Sequence, residues 1–426
     1  MQKNLSGVFR FKPWAWGPAL GLCLTACGGG GDAASAPPEG GPPAPVAVVG
    51  SATGVFSDSP VQGVAFSTSS GVVGTTDAAG RYTYNPTDTV TFKLGAVTLG
   101  SAGASALVTP VDLADGNANR LQNLLVLLQS LDDDGVPANG IKIPAAAAAA
   151  VSAGIDLAQA PASFAAATNS GLTAAMTAGG ISRAITTTAQ AETHYLEQAK
   201  ALLSSQVWVG SYGNGAGVFV RRIGADGTTL GGEIGPAGGG GRAGVEYGSV
   251  RATAVDAQGF KLAAQVEIDT NGSWGMSGTP LACERVRVVG DKVLLVGASG
   301  DCAVTTTVHK ADNDPTGIVG VWALGSATLI KTQTFVFWAN GQYALLDPEG
   351  DTEASRCGGP GVEYGSYSFN ASTQVLQVLT VTVDTNGCAG LHEDGQALPS
   401  FKVALSTDGR SASVNGGEFT LYRVSR

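Results

Sequence analysis

Gly244-Val245-Glu246-Tyr247-Gly248-Ser249 and Gly361-Val362-Glu363-Tyr364-Gly365-Ser366 spell the same hexapeptide, 117 residues apart. Asp269-Thr270-Asn271-Gly272 returns as Asp384-Thr385-Asn386-Gly387 after 115 residues. Val207-Trp208 returns as Val321-Trp322, and the Asp226-Gly227 turn matches Asn340-Gly341, both after 114. One such match is chance, but four at nearly one spacing define two tandem units of about 115 residues. Each unit alternates in the manner of half-buried strands, for example with Leu262, Ala264, Val266 and Ile268 on one face, and turn signals recur at short intervals. Seven or eight short strands per unit predict two antiparallel barrels or sandwiches, over 207–314 and 315–426.

Upstream, over 107–206, the period changes to that of helices. Leu121, Leu124, Leu125, Leu128 and Leu131 share one helical face, with Asp115 and Asn117 available as caps. Six alanines, Ala145 to Ala150, follow Pro144 placed as the first helical residue, and Ser182 to Ser205 predicts one longer helix. Before that, 46–106 reads as strands at Val61–Phe66, Gly80–Tyr84 and Thr89–Leu94, separated by Asp58-Ser59-Pro60 and Thr76–Gly80 turns. The fold class is therefore mainly β with a helical middle section.

Three resemblances follow from these residues. Pro60 to Phe66 and Thr76 to Tyr82 resemble the PVxGVxV and TDxxGxY strands of transthyretin-like modules of the carboxypeptidase regulatory and Cna-B type, over about 45 residues. The resemblance implies a small β-sandwich serving as a spacer or stalk. The early Trp and meander pattern of the repeats resemble lipocalin or avidin-type barrels, which implies an enclosed apolar ligand. Val108 to Leu113, the Leu-rich helix, and Leu131 to Ile141 are similar to an arrangement in uncharacterised proteobacterial surface lipoproteins.

The N-terminus agrees with an exported chain. Lys3, Arg10 and Lys12 precede an apolar stretch, Pro13 to Leu24, too short to span a bilayer, and Leu24-Thr25-Ala26-Cys27 resembles a lipobox. The resemblance implies that a signal peptide, 1–26, is cleaved and that Cys27 is lipidated as a membrane anchor; an ordinary secretory signal is the alternative. Residues 27–45 are a Gly/Pro-rich tether with a root-mean-square reach of roughly 25 Å. With Gly28 rather than Asp after the Cys, the similarity to sorted lipoproteins implies the outer membrane of the cell envelope rather than the inner one. Cys283, Cys302, Cys357 and Cys388 then remain in an oxidising compartment, where four cysteines allow three connectivities. Cys283 and Cys302 flank one pair of apolar runs, and Cys357 and Cys388 another, with each midpoint falling in the intervening turn. That placement favours the pairings 283 with 302 and 357 with 388, worth roughly 3 kcal/mol each.

Composition excludes some functions. The 62 Gly and 19 Pro leave little room for long helices, while 44% hydrophobic against 14% charged residues supports buried cores. A formal charge of −10, which falls to −13 when the three cations of the signal leave, argues against nucleic acid as partner.

Candidate chemistry is sparse. Asp132, Asp134 and Asn139 in the segment Ser130 to Ile141 suit a hard Ca²⁺ ion, but Ser130 and Ile141 stand where an EF-hand loop needs acids. A helix end in an acidic turn explains the same letters. Glu246 and Glu363, with Asp269 and Asp384, recur as paired carboxylates that suit acid–base chemistry or cation binding, or else serve a strand and a hairpin turn. Trp208 and Trp322 are candidates for ligand contact or for plugs of a barrel end, with Trp274 and Trp338 in the same repeats. Gly239 to Gly244 satisfies GxGxxG but precedes a strand, so no helix end is present to hold a phosphate. His194, His309 and His392 are scattered, with no HExxH and no GxSxG. The expectation is a non-catalytic, membrane-anchored envelope lipoprotein that binds a surface protein, glycan or apolar ligand through its repeats. The alternatives are a carrier of a small apolar ligand and a carboxylate-dependent hydrolase.

Overall fold

The computed structural model describes residues 48–424 apart from 205, 213–216, 236–242, 273–274, 277–284, 297–305, 351–357 and 388–389. Cys27 and the proposed pairs Cys283 with Cys302 and Cys357 with Cys388 lie outside the described residues, as does Trp274.

Both repeats are closed eight-stranded antiparallel barrels with strands in chain order. The first runs from Val207–Tyr212 to Thr306–Lys310 and closes by pairing Trp208 with Lys310. The second runs from Gly320–Leu324 to Phe419–Arg423 and closes by pairing Trp322 with Arg423. Alternation explains their interiors: Trp322, Phe335, Phe337, Tyr343 and Leu345 point into one cluster of the second barrel. Their neighbours Val321, Val336, Ala344 and Leu346 point outward, yet they are buried too. They meet Val207, Val220, Leu230 and Val245 of the first barrel, so the two barrels share an apolar wall. Gly232 permits the approach, because a Cβ there would stand 2.6 Å from Leu346 Cγ.

The N-terminal region forms two small sheets. One joins Ala52–Phe56, Arg81–Tyr84 and Leu107–Val108; the other joins Val73–Thr75, Ala65–Thr68, Thr89–Leu94 and Val97–Gly103. Phe56 of the first stacks on Phe92 of the second at 4.7 Å, and Tyr82 meets Phe92 edge-on at 5.2 Å. The single strand expected over Val61–Phe66 is broken. Gly63 takes φ 93°, Val61–Gln62 pairs in parallel with Ile141–Lys142, and the chain resumes at Ala65 in the other sheet.

The Leu-rich helix spans Ala118–Ser130, with Asn117 accepting a cap bond from Arg120 N at 3.1 Å. Pro144 is the cap of helix Ala145–Ala150 rather than its first residue. The long helix starts at Thr188, not Ser182, and ends at Ser204. Changes of element type at residues 106 and 206 do not separate cores. Tyr195 packs on Phe260 of the first barrel at 5.1 Å, and Arg287 of that barrel pairs with Asp112 at 2.7 Å.

Candidate functional site

Each barrel carries the same internal latch. Glu246 and Glu363 are buried, at 1% and 0% exposure, each directly across a strand pair from its Asp, 269 or 384. After that Asp the chain does not form the tight hairpin that Asn-Gly predicts. The Oδ1 of Asp269 accepts from Asn271 and Gly272 N–H (3.1 and 2.9 Å), and that of Asp384 from Asn386 and Gly387 N–H (3.1 and 2.7 Å). Each turn is thus closed by its own side chain. The sheet resumes at the opposite end of the same strand, where Val286 pairs with Phe260 and Lys402 with Val375. On the way the chain donates to the buried Glu: Met276 N–H to Glu246 at 2.9 Å, and Leu391 and His392 N–H to Glu363 at 3.2 and 3.1 Å. A Cβ on Gly275 would lie 2.2 Å from Glu246 Oε2, and one on Gly390 2.0 Å from Glu363 Oε2. Both glycines therefore exist to admit a carboxylate.

The donors inside differ. In the first barrel Arg221 reaches Glu246 Oε2 at 3.1 Å across Gly231, where a Cβ would stand 2.4 Å from the guanidinium carbon. In the second, Phe335 takes that position of the row and Tyr343 donates its hydroxyl proton to Glu363 Oε1 at 2.5 Å. Burial pushes the Glu363 carboxyl above its usual range, and the Tyr343, His392 and Leu391 donors oppose that shift. Burial likewise pushes the Tyr343 hydroxyl up, reinforced by the Glu363 charge.

Trp208 and Trp322 are buried and tied to the backbone. Their Nε1–H groups donate to the Leu203 and Ile318 carbonyls at 2.7 and 2.8 Å, and the Arg423 guanidinium lies 4.1 Å from the Trp322 ring. Arg423 is held by the carbonyls of Gly409, Gly317 and Val319 and by Asn313. Trp208, Trp322, Glu246 and Glu363, the residues expected to contact a ligand, are all buried and bonded within the protein. The cavity inside the second barrel, between Phe335, Phe401 and Leu421, measures about 10 Å³. A space of that size holds one water at most.

Clefts of about 540 Å³ lie beside the acidic turn, lined by Pro60, Asp133, Asp134 and Lys142, and at the seam between barrels. The seam cleft is bounded by Arg222, Gly224 and Tyr247 of the first barrel and Leu329, Ile330 and Lys331 of the second. Arg222 is 2% exposed and donates to Thr334 Oγ1 at 3.3 Å and to the Ala327 carbonyl, but its Nε has no partner. Among the described residues no carboxylate pairs with it, and burial lowers its pKa to about 10. Leu329 is 49% exposed, and Lys331 Nζ lies 5.2 Å from the Tyr247 ring centre. Nothing in the sequence pattern brings residues 222 and 327 together; only the shared wall does.

The acidic turn is built differently from an EF-hand. Asp132 is fully buried, with Oδ1 accepting from Lys142 N–H at 2.9 Å and Oδ2 without a partner. Asp134 accepts from Val136 N–H and from Asn139 Nδ2, at 2.8 and 2.9 Å. Asn139 therefore meets Asp134 as a donor. Arg183 covers the carbonyls of Gln129, Ser130 and Asp132, sealing the helix end. Burial raises the Asp132 pKa, with the Asp134 charge adding to it, while the Asn139 bond lowers that of Asp134.

His194 is half-buried, its Nε2 2.8 Å from the Asp58 carbonyl and 3.2 Å from Ser59 Oγ. One nitrogen serves both contacts, so this Ser-His-Asp set has no relay geometry. Compared with known families, characterised proteins and solved structures, the chain matches none.

Proposed function

We propose that this protein is a lipid-anchored component of the bacterial cell envelope, attached to the outer membrane through Cys27, whose paired barrels bind a partner without catalysing a reaction. The observation that carries the binding half is the seam cleft. It places an unneutralised buried guanidinium, Arg222, beside Lys331 and the exposed side chain of Leu329. That combination suits a group with an anionic end and an apolar body, as on an envelope glycolipid or an acidic surface protein. The early Trp and meander order fit a lipocalin-like barrel, but the filled second barrel favours the seam over carriage inside it. The paired carboxylates support a scaffold rather than a hydrolase, because Glu363 is sealed from solvent and both its oxygens are engaged.

The test has two arms. Cys27→Ser is expected to move the protein from the membrane fraction to the soluble one; unchanged fractionation sinks the anchor. The purified chain is expected to enhance the emission of anilinonaphthalene sulfonate, an apolar anion, and Leu329→Asp to abolish most of that enhancement. Equal emission from both proteins removes the seam as the site.

A further inference from the structure

Among the described residues, the second barrel holds a cluster not found in the first. Asp384, His392 and Asp394 each offer one ligand atom, and the three atoms lie within 4.8 Å of one another. Asp384 spends Oδ1 on its turn, leaving Oδ2 buried and without a hydrogen-bond partner. His392 Nε2 lies 3.1 Å from the Gln396 carbonyl oxygen. A carbonyl only accepts, so Nε2 carries the ring proton and Nδ1 presents a bare lone pair. That Nδ1 is also buried and without a partner. Two carboxylates and the neutral imidazole's lone pair thus gather, an arrangement that costs free energy unless a proton or a metal cation occupies the middle.

The supports are those of a ligand set. The His392 N–H donates to Glu363 Oε2, fixing the residue on the latch, and the Asp394 N–H donates to the Gly387 carbonyl at 2.8 Å. The Nε2 bond to a backbone carbonyl is the usual second partner of a metal-binding histidine, orienting the ring and fixing its tautomer. One nitrogen and two carboxylate oxygens suit a divalent transition ion better than Ca²⁺ or Mg²⁺, which take oxygen alone, and the two acids neutralise its charge. The first barrel makes the same latch bond from Met276, so it has no imidazole at this place.

We propose that Asp384 Oδ2, His392 Nδ1 and a carboxylate oxygen of Asp394 form a three-ligand site for a divalent transition ion of the Zn²⁺ class, with the fourth position open to water beside the exposed Asp394. The ion would clamp the segment carrying His392 and Asp394 to the end of strand Val375–Asp384.

The test uses the full mature chain, oxidised and stripped with EDTA, titrated with Zn²⁺ by calorimetry and melted with and without the ion. One Zn²⁺ per chain at micromolar concentration or tighter is expected, with a rise in melting temperature. His392→Gln keeps its backbone bond to Glu363, so it is expected to melt like the parent in EDTA but to bind Zn²⁺ at least tenfold more weakly. Should that variant misfold, Asp394→Asn, at an exposed position, supplies the same comparison. Asp134→Asn, in the acidic turn, is expected to bind as the parent does. Absence of Zn²⁺ binding by the parent, or equal binding by parent and His392→Gln, overturns the assignment.

Discussion

Replacing Gly390 by Ala tests the latch most directly. The added Cβ would stand 2.0 Å from Glu363 Oε2, whereas ordinary contact begins at 3.4 Å, so something must retreat by roughly 1.4 Å. Glu363 cannot yield easily, because Tyr343, Leu391 and His392 all hold it in a sealed interior. The segment carrying Gly390 must lift instead, which breaks the two backbone bonds to the carboxylate. Bonds to a charged group are worth about 1.5–3 kcal/mol each, so the expected loss is roughly 3–6 kcal/mol. Backbone strain adds nothing, since Gly390 is not among the positive-φ residues. The assay is urea unfolding followed by the fluorescence of Trp322 and Trp338. In a Glu363→Asp background the oxygens withdraw by one methylene, and the same Gly390→Ala change should cost under about 1 kcal/mol, a coupling of about 2–3 kcal/mol or more. A loss below about 1 kcal/mol in the parent, or an equal loss in both backgrounds, refutes the reasoning. At Gly275, where φ is 68°, the corresponding pair with Glu246 should recover only part of the cost.

Two further outcomes follow from buried acids. Asp58 is sealed, with Oδ2 accepting from Gln129 at 3.0 Å, and burial raises its pKa well above the usual value. A raised acid is neutral at no cost below its unfolded pKa and penalises the fold as pH rises through its folded one. Asp58→Asn should therefore stabilise by about 1–3 kcal/mol at pH 8, with the gain shrinking towards pH 4; melting curves at both pH values decide, and a gain that grows in acid refutes the sign. In the acidic turn, Ca²⁺ bound between Asp132 and Asp134 should raise the melting temperature over a sample in EGTA, and Asp132→Asn should erase the difference. Identical curves with and without EGTA leave only the helix-end role of that turn.

The barrels were legible because a strand row repeats: Trp208 and Trp322 open it, and Glu246 and Glu363 lie across it in both copies. Periodicity could not choose between barrel and sandwich, since that depends on whether the first strand meets the last. Asn-Gly misled for a local reason. The preceding Asp closes the turn with its own carboxylate, and the next strand pairs at the far end of the same strand, near Phe260 or Val375. That error hid the metal cluster, because a tight hairpin at Asp384 would carry His392 away from it. The seam was invisible in principle. Val336, Ala344 and Leu346 read as the outer face of a sheet, and the first barrel covers them.

Closure by first and last strands also dictates an order of assembly. Every other strand pair in the second barrel joins neighbours in the chain, which form as the polypeptide emerges, but Trp322 waits about a hundred residues for Arg423. Until strand Phe419–Arg423 arrives, Gly320–Leu324 presents an unpaired sheet edge, a template for aggregation. The Arg423 side chain, by seating on Trp322, ends that interval.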